Sequence, residues 1–216
     1  MEGSVSEKLN LKELERKAWR SFFDDGLWDI YLGLLLGLMG TSGLLDRSGL
    51  SESWAMGIYI GMLALVMLAF WAGKRFITVP RIGLVKFGRA RKVRRIKTAL
   101  VLFASVVFGL VVMQVTSAAK QGAAPNIQWG ALLPAIWALN MLVVFGLMGY
   151  FLDFQRLYFI GLLYAITIPL NEILLTQTGV KFGPYLFLVF GAIIVIVGIV
   201  YLLRFLQNYP VVQVDA

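Results

Sequence analysis

Long apolar runs alternate with short polar segments along the chain, and there are six such runs. A helical run of about 20 residues rises roughly 30 Å, which is the thickness of the hydrocarbon core of a bilayer. A backbone within lipid must satisfy its own hydrogen bonds, and the alternation of a membrane barrel is missing, so each run predicts a helix. The predicted spans are 27–45, 54–73, 98–118, 129–150, 157–175 and 184–206.

The predicted fold is an all-α, polytopic membrane bundle that begins with an interfacial helix. Composition supports this class, because 59% of the residues are hydrophobic and only 15% are charged. Soluble domains are about 45–50% apolar and about 25% charged. The chain divides into an amino-terminal segment, two spans, a basic loop, four spans and a tail, at 1–26, 27–73, 74–97, 98–206 and 207–216.

The amino-terminal segment has the pattern of an amphipathic helix. Apolar side chains recur at helical spacing, with charged residues between them: Leu11, Leu14, Ala18 and Phe22. We expect a helix lying in the membrane interface, either as a plain anchor or as a gate or partner-binding element. No apolar leader precedes Leu27, so we expect the first span to be retained.

Lys and Arg are distributed unequally between the two sides of the predicted bundle. With the amino terminus inside, 17 of them fall on the inner side and three on the outer side. The positive-inside rule favours this orientation, which places both termini in the cytoplasm. The compact loops and the lack of a cleaved leader suggest the inner membrane of a prokaryotic cell.

The loop 74–97 carries ten basic residues and no acidic ones. Pro and Gly break its first part, 76–88, which predicts a hairpin or extended segment, whereas 89–97 is expected to extend the third span as a helix. Basic clusters beside a membrane attract anionic headgroups, at about 1 kcal/mol per residue. The candidate docking residues are Arg81, Lys86, Arg89, Arg91, Lys92, Arg94, Arg95 and Lys97.

Other interpretations of this basic loop are open. It also fits a role in fixing topology alone, or the binding of another phosphate-bearing ligand, while nucleic acid is not an expected partner. The loop is further expected to pair with the acidic group Asp24, Asp25 and Asp29, since both lie on the inner side.

Small residues recur four apart in the first two spans, at Gly33 and Gly37 and again at Gly57 and Gly61, with Gly40 continuing the first stripe. Such spacing allows two helices to approach closely. We expect the two spans to pack on each other through these glycines; a homo-oligomer joined at this face is the second interpretation.

Polar residues within the later apolar runs form the candidate pathway. Asn140 lies near the middle of the fourth span, and Asn171 and Glu172 lie in the outer half of the fifth. Intramembrane carboxylates are costly, so Glu172 should be paired, protonated or facing water. Prolines open the helix ladder and free carbonyls nearby. The full candidate set is Asn140, Asn171, Glu172, Pro134, Pro169 and Tyr164.

The absence of Cys and His limits the chemistry. Disulfides, the usual zinc sites and catalysis by a histidine base or a cysteine nucleophile are excluded, and no Walker-type phosphate loop is present. We therefore expect no enzyme, no catalytic residue, no cofactor and no metal. The one acidic cluster, Asp24, Asp25 and Asp29, fits a solvated helix end better than a divalent-ion site.

Two function hypotheses remain. The first is a small ion, solute or lipid transporter or channel that uses the polar residues of the fourth and fifth spans. The second is a non-transporting scaffold or sensor, whose basic loop docks anionic lipid or a cytosolic partner. The buried polar positions favour the first hypothesis.

Overall fold

A computed structural model of the chain describes residues 23–82, 89–120 and 129–209. It contains six helices long and apolar enough to cross a membrane, and no strand occurs in those three ranges. The all-α membrane bundle is thus confirmed. The spanning helices are α1 (Leu27–Leu45), α2 (Glu52–Gly73), α3 (Arg89–Lys120), α4 (Trp129–Leu152), α5 (Arg156–Thr178) and α6 (Gly183–Asn208). The predicted interfacial helix and most of the tail lie outside the described residues.

The helix α2 does not end where its apolar run ends. A π-helical turn, Lys74–Thr78, and a short α-helical turn, Val79–Ile82, continue it. The predicted hairpin is therefore wrong for this part of the loop. Pro80 lacks a backbone N–H, and it is tolerated directly after the π-helical turn, where the α-helical ladder is already interrupted. The expected helical extension of the third span is present, since α3 begins at Arg89.

The helices pack in an order that differs from their order in the chain. Helix α1 packs most extensively against α6, and it also contacts α2 and α5. Helix α4 lies between α5 and α3, and α5 also contacts α6. Consequently α2 and α3 are peripheral: only 6% of the apolar window of each is buried, against 33% for α1.

The contact between α1 and α6 depends on glycine. A Cβ atom on Gly33 would lie 2.8 Å from the carbonyl oxygen of Gly191, and one on Gly191 would lie 2.7 Å from that of Gly33. A Cβ on Gly40 would likewise lie 2.5 Å from the carbonyl of Pro184. No side chain fits in these spaces, so the antiparallel backbones meet directly.

This contact corrects the expected partner of the glycine stripe. A Cβ on Gly57 or Gly61 would meet no atom of the described chain within 4 Å, so these residues of α2 do not face α1. Gly37 contacts α6 through its backbone, whereas its own Cβ direction is open. The physical reason is that α6 carries glycines at a matching spacing of seven residues, Gly191 and Gly198, opposite Gly33 and Gly26.

The apolar core lies among α1, α4, α5 and α6. Its most deeply buried side chains are Leu36, Leu157, Ile160 and Ile194, each at most 2% exposed. At α4, Phe145 packs into the space left by Gly161. This contact fixes α4 against α5, and α5 begins at Arg156, which pairs with Asp29 of α1.

Candidate functional site

The buried ion pairs that the structure describes lie at one end of the bundle. We call it the basic end: it is where α1, α3 and α5 begin and where α2, α4 and α6 finish. Five side chains interact there, three of them buried and two, Lys74 and Arg156, half-buried. We call this set the ion-pair network: Asp25, Asp29, Lys74, Thr78 and Arg156.

Asp25 joins the beginning of α1 to the end of α2. Its side chain is fully buried, and Oδ2 accepts hydrogen bonds from Lys74 Nζ at 2.6 Å and Thr78 Oγ1 at 2.5 Å. Its Oδ1 accepts the backbone N–H of Leu27 at 3.1 Å, satisfying one of the free donors at the start of α1. The predicted pairing of the basic loop with the acidic group is therefore confirmed for Lys74.

Arg156 joins α5 to the beginning of α1. Its Nε donates to Asp29 Oδ1 at 3.1 Å, and Nη2 lies 3.0 Å from Oδ2. Nη2 also donates to the carbonyl oxygen of Phe23 at 2.7 Å, while the exposed Asp24 lies 3.6 Å from Nη1. The sequence predicts that the acidic group containing Asp29 pairs with the basic loop, whereas the observed partner of Asp29, Arg156, lies outside that loop.

Aromatic rings surround both cations of the network. The guanidinium of Arg156 lies 3.8 Å from the ring centroid of Tyr201 on α6, and Lys74 Nζ lies 5.9 Å from those of Trp28 and Phe70. Such contacts stabilise a cation that has left water. The network thus holds α1, α2, α5 and α6 together with paired charges, and no group of three acidic side chains placed for a metal ion occurs in the described ranges.

The predicted docking residues fall into different environments. The Nη1 of Arg81 donates to the carbonyl oxygens of Tyr209 at 2.6 Å and Leu206 at 3.4 Å, so this cation caps the end of α6. The side chains of Lys86, Arg89 and Arg91 lie outside the described part. The remaining four are exposed on the first turns of α3: Lys92, Arg94, Arg95 and Lys97.

A polar cavity of 710 Å³ lies at the basic end between α3 and the α4–α5 connection. Arg94 and Lys97 line it from α3, and Tyr150, Asp153 and Tyr158 line it from the other side. Lys97 Nζ also lies 5.7 Å from the ring centroid of Phe151. The cavity therefore presents two cations and two phenol groups, together with one carboxylate, at a membrane boundary.

A second cavity, of 360 Å³, lies on another side of α3 and is almost entirely apolar. Arg95, Thr98 and Leu102 line it from α3. Its other walls come from the start of α1, the end of α4 and the start of α5, and include Phe23, Trp28, Leu32, Met148, Phe154 and Leu157. Sequence reasoning did not find this cavity, because its walls come from four helices.

The candidate pathway residues of α4 and α5 take part in separate helix contacts. Asn140 Nδ2 donates to Ser105 Oγ at 3.0 Å, linking α4 to α3. The hydroxyl of Tyr164 donates to the carbonyl oxygen of Leu32 at 2.6 Å, linking α5 to α1. The amide of Asn171 lies against Gly183 at the start of α6. The structure therefore distributes these three residues over three interfaces.

The other pathway candidates lie within intact helices. Pro134 is buried in α4, and Pro169 is half-buried in α5. Glu172 is half-buried, one position after Asn171, whose Oδ1 is buried without a hydrogen-bond partner among the described residues. A polar path along these residues stays a prediction.

The tryptophans lie in two different environments. Trp54 and Trp71 are 71% and 62% exposed, as interfacial side chains are. Trp137 belongs to the bundle, because its Nε1 donates to the carbonyl oxygen of Tyr164 at 2.9 Å.

The chain matches no protein-family model, no curated protein and no solved structure.

Proposed function

We propose that this integral membrane protein binds an anionic lipid at its basic end. The observation that carries the proposal is the pair Arg94 and Lys97, which line the 710 Å³ polar cavity from one face of α3. Residues three apart on a helix are neighbours, so both cations are within reach of one phosphate group.

The surroundings of this pair support a headgroup site. Thr98 and the apolar residues after it continue α3 into the membrane, so the cations lie where headgroups lie. Tyr150 and Tyr158 add phenolic donors at the same level. Asp153 lowers the net charge of the cavity and favours headgroups that carry hydroxyl or amine donors beside the phosphate.

The orientation that the positive-inside rule favours supports the inner leaflet as the source of this lipid. We propose that the basic end and both termini face the cytoplasm, in a prokaryotic inner membrane. A lipid-binding role needs no catalytic residue or cofactor, and nucleic acid is not a proposed partner.

Transport of an ion or solute is the second candidate. The buried, unpartnered Oδ1 of Asn171 among the described residues favours it, because such an atom is costly unless water or a solute reaches it. Pro169 lies two residues earlier in the same helix. Lipid binding is better supported, because its cations share one cavity.

The test is binding of a short-chain phosphatidylglycerol to the purified protein in a neutral detergent. The double variant R94A/K97A should bind about 30-fold more weakly, since each cation near a headgroup contributes about 1 kcal/mol. The matched control is R75A/K92A, which removes the same charge from two exposed residues of the same end that do not line the cavity.

Three outcomes distinguish the interpretations. A loss confined to R94A/K97A supports a headgroup site. Equal loss in both double variants would reduce the effect to general surface charge and overturn the site. Absence of short-chain lipid binding by the unmodified chain would reject the polar cavity as a headgroup site.

A further inference from the structure

We infer that the 360 Å³ apolar cavity holds one acyl chain of an anionic phospholipid, with the phosphate of that lipid at Arg95. This inference rests on the proposed function and specifies its ligand: a lipid recognised by tail as well as headgroup. The cavity volume lies within the range of about 300–1,000 Å³ usual for sites that bind small organic ligands.

The cavity is preformed by the core. Three of its wall residues are almost fully buried: Phe23 and Phe154 are each 4% exposed, and Leu157 is 1% exposed. Phe23 and Phe154 stack with ring centroids 5.6 Å apart, so this wall is held by its own packing. A cavity with fixed apolar walls gains dispersion contacts when a chain of methylene groups fills it.

The lining residues of α3 follow the order of groups in a phospholipid. Arg95, Thr98 and Leu102 are spaced three and four residues apart, so they share one face of the helix. Over about 10 Å along this face, the chemistry changes from a cation to a hydroxyl and then to an alkyl group. A phosphate, a glycerol ester and an acyl chain have the same sequence of polarity over a similar length.

The location favours a lipid as the occupant over water. The cavity lies within the membrane-spanning helices, where acyl chains are the solvent, and its apolar walls offer water too few hydrogen-bond partners. Arg94 directly precedes Arg95, so we place this single phosphate at the edge between the two cavities, in contact with Arg95 and with the Arg94–Lys97 pair.

The experiment uses Trp28, which lines the apolar cavity, as a fluorescent reporter. The full-length protein is placed in nanodiscs of a zwitterionic lipid, and a small fraction of phosphatidylglycerol with brominated acyl chains is added. Bromine quenches tryptophan only at close range. We expect part of the emission to be quenched saturably by the brominated anionic lipid, whereas brominated phosphatidylcholine at the same fraction gives only weak, linear quenching.

Two pairs of variants test which tryptophan is quenched and whether the acyl chain lies in the apolar cavity. The saturable quenching should be lost in Trp28→Phe. It should be kept in Trp71→Phe, which removes a tryptophan that is 62% exposed. The saturable quenching should also be lost in L102F/M148F, which fills the cavity, and kept in L100F/L147F, which places two phenylalanines at neighbouring positions of α3 and α4 that do not line it.

Each outcome decides a separate point. Equal quenching by the two brominated lipids, or quenching that persists in Trp28→Phe, would overturn the acyl site. If short-chain phosphatidylglycerol still binds in that case, the headgroup proposal stands without the tail site. If short-chain lipid does not bind but saturable quenching of Trp28 persists, the tail site stands and the headgroup cavity is wrong. The comparison of the two lipids uses the unmodified chain, so it holds even if the filled variant fails to fold.

Discussion

The guanidinium of Arg156 connects three helices at the basic end. Arg156 begins α5, pairs with Asp29 in α1 and lies over Tyr201 of α6. Both members of the pair are nearly excluded from solvent, at 16% and 1% exposure of the side chain. Removing one member of a buried ion pair leaves an uncompensated charge, and that is more costly than the loss of the attraction.

Arg156→Ala is therefore expected to lower the free energy of unfolding by about 3–5 kcal/mol, because Asp29 stays buried without its cation. The measurement is denaturant unfolding in detergent micelles. Asp24→Asn is the control: Asp24 lies 3.6 Å from the same guanidinium but is 60% exposed, so its loss should change stability by less than about 1 kcal/mol.

The same pair predicts strong coupling in a double-mutant cycle. In the Arg156→Ala background, Asp29→Asn should recover part of the lost stability, since a neutral amide is less costly to bury than an unpaired carboxylate. Additive losses from the two substitutions would show that the contact between them does not carry the effect.

At the scale of the helix, the sequence predicts the positions of the spans but not their neighbours. The start of α1 at Leu27 and the extension of α3 to Arg89 follow from local pattern, because apolar length and helix continuity are properties of one segment. The partner of Gly33 is not such a property. It depends on a matching glycine in α6, far away in the chain, and the nearer stripe of α2 misled the prediction.

Gly191→Ala is expected to reduce the free energy of unfolding by about 1–3 kcal/mol, because the new methyl group would lie 2.7 Å from the backbone oxygen of Gly33 and must force α1 and α6 apart. Gly57→Ala is the matched control within a spanning helix. Its methyl group meets open space, so we expect no loss, or a gain of up to about 1 kcal/mol from helix propensity.

Unfolding in detergent, followed by circular dichroism, compares the two alanine variants directly. Equal effects of the two substitutions would contradict the assigned contact between α1 and α6. A larger loss for Gly57→Ala would point instead to a packed face on α2, formed with another molecule.

At the scale of the whole molecule, lipid binding and transport predict different behaviour in a sealed vesicle. For a lipid-binding protein, we expect no flux of protons or inorganic ions across proteoliposomes, and Glu172→Gln should leave the affinity for short-chain anionic lipid unchanged. Flux through the unmodified chain that falls in the folded Glu172→Gln variant would favour transport and assign the path to the outer half of α5.

The candidate sites depend on contacts between helices, and the sequence alone does not predict those contacts. Local composition identifies the cations of α3, but the apolar cavity beside them exists only because Trp28, Met148 and Leu157 converge from three other helices. Asn140 lies within the candidate spanning helix α4, as the sequence predicts, yet its partner Ser105 depends on which helix packs beside α4. The position of a residue along a spanning helix can be predicted from the sequence of that helix, whereas its contacts with other helices cannot.

The packing of the first spanning helix against the last has a consequence for biosynthesis. A ribosome adds about 5–20 residues per second, so α1 is made on the order of ten seconds before the helix that covers its glycines. During this interval the face of α1 that carries Gly33 and Gly40 is covered by lipid or by insertion factors instead of α6. The contact between α1 and α6 therefore forms only after α6 has been made, and nascent chains that stop before α6 leave the glycine face of α1 without its helical partner.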